Sequence, residues 1–179
     1  MAHDGEPWPL AITNYLLPVD HGALDQEYYG PFNTTLTHVF PFSDNYTVAP
    51  QTYPNRRGGA DYLIELLELS GNQVVGGVEV KRESDIGDEH SRRASHSQAL
   101  DRFRSMHGLV QVPVIVMVSA IGRHCRIYRY TRLIRTSVPA SRDSCEEAQW
   151  NIDLGTSQGR HLLNAAFDEI RHNAHTVRA

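Results

Sequence analysis

Three residues of this chain, Asp61, Glu79 and Lys81, have the types and spacing to do chemistry together. Alternate side chains along an extended strand share a face. Glu79 and Lys81, in the Val-rich run QVVGGVEVKR, therefore point the same way, about 6.6 Å apart at about 3.3 Å per residue. Val78 and Val80 point to the other side, into an apolar layer. The preceding run ADYLIELLEL is flanked by Gly58-Gly59 and by Ser70-Gly71-Asn72, so the two runs read as an antiparallel hairpin. Asp61, at the start of the first strand, then comes near Glu79, towards the end of the second. Two carboxylates there can hold a hard divalent cation such as Mg²⁺ or Mn²⁺. Such a cation polarises a phosphate and lowers the pKa of a bound water, and a neighbouring lysine can orient that water or help take its proton. The set suits phosphodiester hydrolysis. A cross-strand salt bridge on a solvated face would use the same residues, and E-x-K is a common tripeptide.

Composition adds one pointer. The chain has sixteen arginines and a single lysine, Lys81. A compact ammonium on a flexible stem offers what a guanidinium does not, a pKa that shifts on burial.

The elements that must position these residues follow from pattern. Residues 1–20 read as an irregular N-terminal arm broken by Pro7, Pro9 and Pro18, and residues 21–179 as one domain. Residues 21–40 form a helical segment that Gly30-Pro31 interrupts. Residues 46–52 are a short strand, with Pro50 marking an edge or bulge. After the hairpin, 87–107 is a helix capped by Asp88, with Leu100, Phe103 and His107 on one side. The run PVIVMVSAI is a buried strand, Gly122 turns the chain into a strand over 123–131, 133–149 is a loop, and 150–154 is a short strand. Residues 156–175 form an amphipathic helix packing through Leu162, Leu163, Ala166, Phe167 and Ile170. The expected class is α/β, a mixed sheet with helices on its faces.

Charge is uneven along the chain. Net charge is −4, yet residues 81–142 carry twelve basic residues against five acids, while residues 1–80 carry two against ten. A phosphate backbone would be drawn to the middle segment, although the arginines could equally be a solvated surface. No apolar stretch approaches the roughly 20 residues of a membrane helix, and the N-terminus does not read as a secretory signal. Cys125 and Cys145 read as two free thiols, which suggests an intracellular protein. No basic cluster marks nuclear import, so nucleus and cytoplasm both stay open. HExxH, GxxxxGK[ST] and GxGxxG are absent, and zinc, nucleoside-triphosphate and Rossmann chemistry lack support.

The line Gly59-Ala60-Asp61, then Glu79-Val80-Lys81 in an apolar strand, resembles the signature of the PD-(D/E)XK nuclease superfamily. Ala60 stands where the signature has its first proline. The segments EYYGPFNTTLTHVFP, TVAPQ, GADYLIEL, GGVEVKRESD, QALDRFRSM, VPVIVMVSAIGRHCRIYRY and WNIDL together are similar to a fungal family of PD-(D/E)XK-like proteins of mostly unassigned function, over about residues 27–154. The resemblance implies a restriction-endonuclease-like αβββαβ core and a Mg²⁺- or Mn²⁺-dependent nuclease, with DNA favoured over RNA. It places Asp61, Glu79 and Lys81 in the active site. It adds Glu27 on the first helix as a further metal ligand, and Gln98, on the helix after the E-x-K strand, as an amide that orients water. By helical angle Gln98 lies beside Arg102, opposite Leu100 and Phe103. Arg93 and Arg102 are candidate phosphate binders, and Glu65 and Glu83 either extend the acidic cluster or meet water. A homodimer would suit cleavage of both strands of a duplex. The competing expectation is a catalytically inactive nuclease-fold domain that binds nucleic acid or protein.

Overall fold

A computed structural model of the chain describes residues 5–17, 24–50, 61–67, 72–106, 110–140 and 145–176. Helices α1 (Leu10–Leu16) and α2 (Asp25–Val39) lead into strands β1 (Tyr46–Pro50), β2 (Tyr62–Leu66) and β3 (Gln73–Lys81). Helix α3 (Glu89–Met106) crosses to β4 (Val114–Ile121). Strands β5 (His124–Thr131), β6 (Thr136–Val138) and β7 (Ile152–Asp153) and helix α4 (Ser157–His175) follow. The fold is mixed α/β: one seven-stranded sheet in the order β1-β2-β3-β4-β5-β6, with β7 also paired to β5. Pro50 ends an edge strand, where its missing N–H costs no ladder bond.

Among the described residues only β3 and β4 run parallel, and the other strand pairs are antiparallel. The expected β2–β3 hairpin is present, with a register shift between Ile64 and Glu65. The connecting turn at 68–71 lies outside the described residues, as do Gln51, Thr52, Gly58-Gly59 and His107.

The sheet's two faces differ in chemistry. Val78, Val80, Val116, Val118 and Ala120 make one face apolar, and α4 packs so closely there that a Cβ at Gly76 would lie 2.7 Å from Ile170 Cδ1. Helix α2 shares this side, with Phe40 edge-on to Phe167 at 5.6 Å. The opposite face carries Glu79, Ser119 and Arg126 in one register row. Helix α3 covers it, Phe103 stacking on Tyr130 and His96 Nδ1 lying 3.2 Å from the Tyr128 hydroxyl. Among the described residues no helix is long and apolar enough to cross a membrane.

Four expectations need correction. The N-terminal arm is not irregular throughout: Pro9 precedes α1, and Trp8, Ile12 and Leu16 are buried in the common core, because proline is tolerated ahead of a helix's first turn. Gly30-Pro31 does not interrupt the second helical segment, since α2 runs on with Pro31 inside it. Gly30 instead admits Tyr15 of α1, whose hydroxyl would lie 2.4 Å from any Cβ there. The loop at 133–149 contains β6 and a 3₁₀ turn, Glu147–Gln149. Finally, Leu162 is 47% exposed and does not join Leu163, Ala166, Phe167 and Ile170 in the core.

Candidate active site

Tyr62 pairs with Val78, so the residues one step outward, Asp61 and Glu79, lie side by side where the β2–β3 pairing ends. The Asp61 carboxylate is fixed at both oxygens. Oδ2 accepts the Val80 backbone N–H at 2.7 Å, and Oδ1 accepts the Tyr29 hydroxyl at 3.1 Å. Tyr62 steadies Tyr29 in turn, donating its hydroxyl to the Tyr29 carbonyl at 2.7 Å. Helix α2 is thus tied directly to one of the two acids.

Glu79 is only 3% exposed. Its Oε1 lies 3.7 Å from Lys81 Nζ, and its Oε2 is buried with no hydrogen-bond partner among the described residues. Burial pushes its pKa up to about 7; Lys81 and Arg102 work against that rise and Asp61 adds to it. The lysine side chain keeps 30% of its surface open. The site therefore has a fixed acid, a buried acid poised near neutrality, and an ammonium with a path to solvent.

The resemblance-derived positions separate clearly. Gln98 lies half-buried on α3, and its Oε1 is a second buried acceptor with no hydrogen-bond partner among the described residues. Arg102, one turn further along the same flank, is 5% exposed and interacts electrostatically with both Glu79 and Asp61. Desolvation lowers its pKa while those carboxylates resist the change. It faces the site from within the fold and not from a solvated surface. Arg93 is exposed and pairs with Glu89 one turn earlier, Nη2 to Oε1 at 2.6 Å. Glu27 is exposed and caps α2, its Oε2 accepting the Leu24 N–H at 2.8 Å. It is not gathered with Asp61 and Glu79, and among the described residues no group of three or more His, Cys, Asp or Glu side chains is arranged to hold a metal ion. Glu65 accepts from Asn72 on the hairpin.

Glu83 neither meets water nor joins the Asp61–Glu79 pair. It begins the 3₁₀ turn after β3, is 5% exposed, and accepts the Tyr28 hydroxyl at 2.6 Å. Arg123 and His124, at 3.7 and 3.9 Å, approach its other oxygen. Gly122, at φ +57°, is pressed onto it: a Cβ there would sit 2.3 Å from Glu83 Cβ.

Sequence reasoning missed Tyr28 and Tyr29. The available signal was an adjacent tyrosine pair on a helix that must cross the ends of β2 and β3; only the packing tells which hydroxyl meets which acid. The polar face was missed as well: Trp150 Nε1 donates to Ser119 Oγ at 3.3 Å, and Arg126 lies over the Tyr128 and Trp150 rings at 5.4 and 5.2 Å. Much of the arginine-rich middle segment serves internal contacts. Arg92, buried, donates to the Cys145 and Ile86 carbonyls, and Arg129 pairs with Glu169. Both cysteines are free and buried.

A scan against protein-family models and searches of curated proteins and of solved structures each found no match.

The donors fit a hard cation. Carboxylate oxygens of Asp61 and Glu79 are what Mg²⁺ or Mn²⁺ prefer, and Glu79 Oε2 is a buried acceptor left without a partner among the described residues, a costly condition that an ion or its water would relieve.

Proposed function

We propose that this chain is a Mg²⁺- or Mn²⁺-dependent nuclease on a restriction-endonuclease-like core, cleaving DNA in preference to RNA. The observation that carries the reading is the meeting of Asp61 and Glu79 at one end of the β2–β3 hairpin, with Lys81 3.7 Å from Glu79 and Glu79 Oε2 lacking a partner among the described residues. The element order α2-β1-β2-β3-α3-β4 supports the same reading, since it is the αβββαβ order that the sequence resemblance implies.

Asp61 and Glu79 would hold the cation, which supplies polarisation of the phosphate and a more acidic bound water. Asp61 is preorganised for this by Tyr29 and the Val80 N–H. Lys81, partly open to solvent, is placed to orient the attacking water and to offset charge that builds on the phosphate. The Gln98 Oε1 acceptor can take a hydrogen bond from that water. Arg102 balances the two carboxylates from below, which keeps the acids close together before any ligand arrives.

The test is incubation with labelled DNA and RNA in Mg²⁺, Mn²⁺ or chelator. Metal-dependent cleavage is expected, and Asp61→Ala and Lys81→Ala should each lower it by about 100-fold or more. Equal cleavage in chelator overturns the mechanism. A second reading, an inactive domain that binds nucleic acid or protein, draws support from the Lys81–Glu79 pair, which a purely structural salt bridge would also make. It requires that Mn²⁺ show no affinity that Glu79→Ala removes.

A further inference from the structure

On the sheet face that carries Lys81 lies a pocket of about 440 Å³ lined by Ile86, His124, Glu147, Ala148 and Trp150, within the size range of about 300–1,000 Å³ typical of small-molecule sites. Its position relative to Lys81 follows from register. Lys81 pairs with Ile121, which pairs with His124, so His124 is on the same face two strand spacings away, about 10 Å. Ile86 belongs to the 3₁₀ turn that leaves β3 just after Lys81.

The walls are pinned. Buried Arg92 donates from Nε to the Cys145 carbonyl at 2.7 Å and from Nη1 to the Ile86 carbonyl, stapling the turn after β3 to the segment before Trp150. Trp150, itself only 2% exposed, is held by Ser119 and Arg126 and closes the floor of the pocket. The exposed Glu147 adds a carboxylate, an acceptor with no donor when ionised. A small pocket with apolar Ile86 and Ala148 on its walls and one such acceptor suits a ring that offers N–H groups on its edge. It does not suit a phosphate, which Glu147 would repel.

We propose that this pocket receives one unstacked nucleobase adjacent to the phosphodiester that is cut, so that single-stranded or frayed nucleic acid is the substrate class. The proposal rests on the nuclease reading above. A base inside a duplex cannot reach such a pocket unless it leaves the stack, whereas an unpaired base can. Glu147 favours bases with exocyclic amines, above all cytosine, over thymine.

The test has two arms. In the first, the indole N–H signals of the two tryptophans are followed by ¹⁵N NMR without metal, while deoxynucleoside monophosphates are titrated into the millimolar range. Trp8 is a control distant from the pocket, since its indole donates to Asn164 on α4. The Trp150 signal should move saturably and the Trp8 signal should not, with dCMP binding more tightly than dTMP. Ala148→Leu, an exposed turn position whose larger side chain fills the pocket, should weaken binding by about tenfold with an unchanged melting temperature. In the second arm, Mn²⁺-dependent cleavage of a single-stranded oligonucleotide should exceed that of its blunt duplex by about tenfold, and Ala148→Leu should erase the difference. Cleavage with an unmoved Trp150 signal, or equal rates on both substrates, overturns the pocket proposal and leaves the nuclease reading standing. A moving Trp150 signal with no cleavage of any substrate overturns the nuclease reading and sustains the base-binding pocket.

Discussion

Glu79 and Glu83 sit four residues apart at the end of β3, and they are 3% and 5% exposed. Their surroundings are opposite in kind. Glu83 is ringed by donors: Tyr28 gives it a short hydrogen bond, and Arg123 and His124 approach its second oxygen. Glu79 has Lys81 beside one oxygen and no hydrogen-bond partner for the other among the described residues. Burying a carboxylate with its donors supplied makes a structural joint; burying one with an oxygen unpaired costs free energy that the fold does not recover by itself. The contrast sets Glu83 in the scaffold and leaves Glu79 as the buried acid with an unused acceptor, the one to which the proposed function assigns the cation. The two are linked through α2, where Tyr28 binds Glu83 and the adjacent Tyr29 binds Asp61.

The contrast breaks most visibly if the two acids respond alike to mutation. Glu79→Gln should abolish metal-dependent cleavage, by about 100-fold or more, while leaving the chain at least as stable. Glu83→Gln should lower stability by about 2 kcal/mol, read from urea melts, and retain measurable Mn²⁺ affinity.

A pH series sharpens the same point. Below about pH 4.5 Glu79 is protonated whether the chain is folded or not. Between there and about 7 the folded chain keeps a proton that the unfolded chain has released, so stability falls as pH rises through this window and levels off above it. Glu79→Gln suffers no such loss, so its advantage over wild type should grow by about 2 kcal/mol between pH 5 and pH 8. A constant difference across that range would place Glu79 among the satisfied acids.

The smallest effect concerns the link itself. Tyr29→Phe removes the hydroxyl that holds Asp61 Oδ1, and Mn²⁺ affinity by calorimetry should drop about tenfold. The melting temperature should shift by only a few degrees. Unchanged affinity would show that the Val80 N–H alone orients Asp61.

Much of the molecule was legible as pattern. The hairpin, the shared face of Glu79 and Lys81, the Asp88 cap of α3, whose carboxylate accepts the Ser91 N–H at 2.9 Å, the buried β4 and the amphipathic α4 all follow from period, turn residues and capping. These are local properties, set by residues close in the chain. Proline punctuation misled twice, at Pro9 and at Pro31, because a helix tolerates proline at its start and tertiary packing can carry a helix through one.

What the residues alone determined is which groups could do chemistry, and that two strands would bring Asp61, Glu79 and Lys81 to one end. What only the tertiary structure decided is how each charged group is used. Glu27 caps its own helix, Arg93 pairs with Glu89, Arg102 is buried facing the carboxylates, and Glu83 is enclosed by donors. The reason is physical: a side chain's type and period tell which way it leaves the backbone, but its partners come from segments far away in sequence, and those partners decide whether a buried charge is satisfied or left for a ligand.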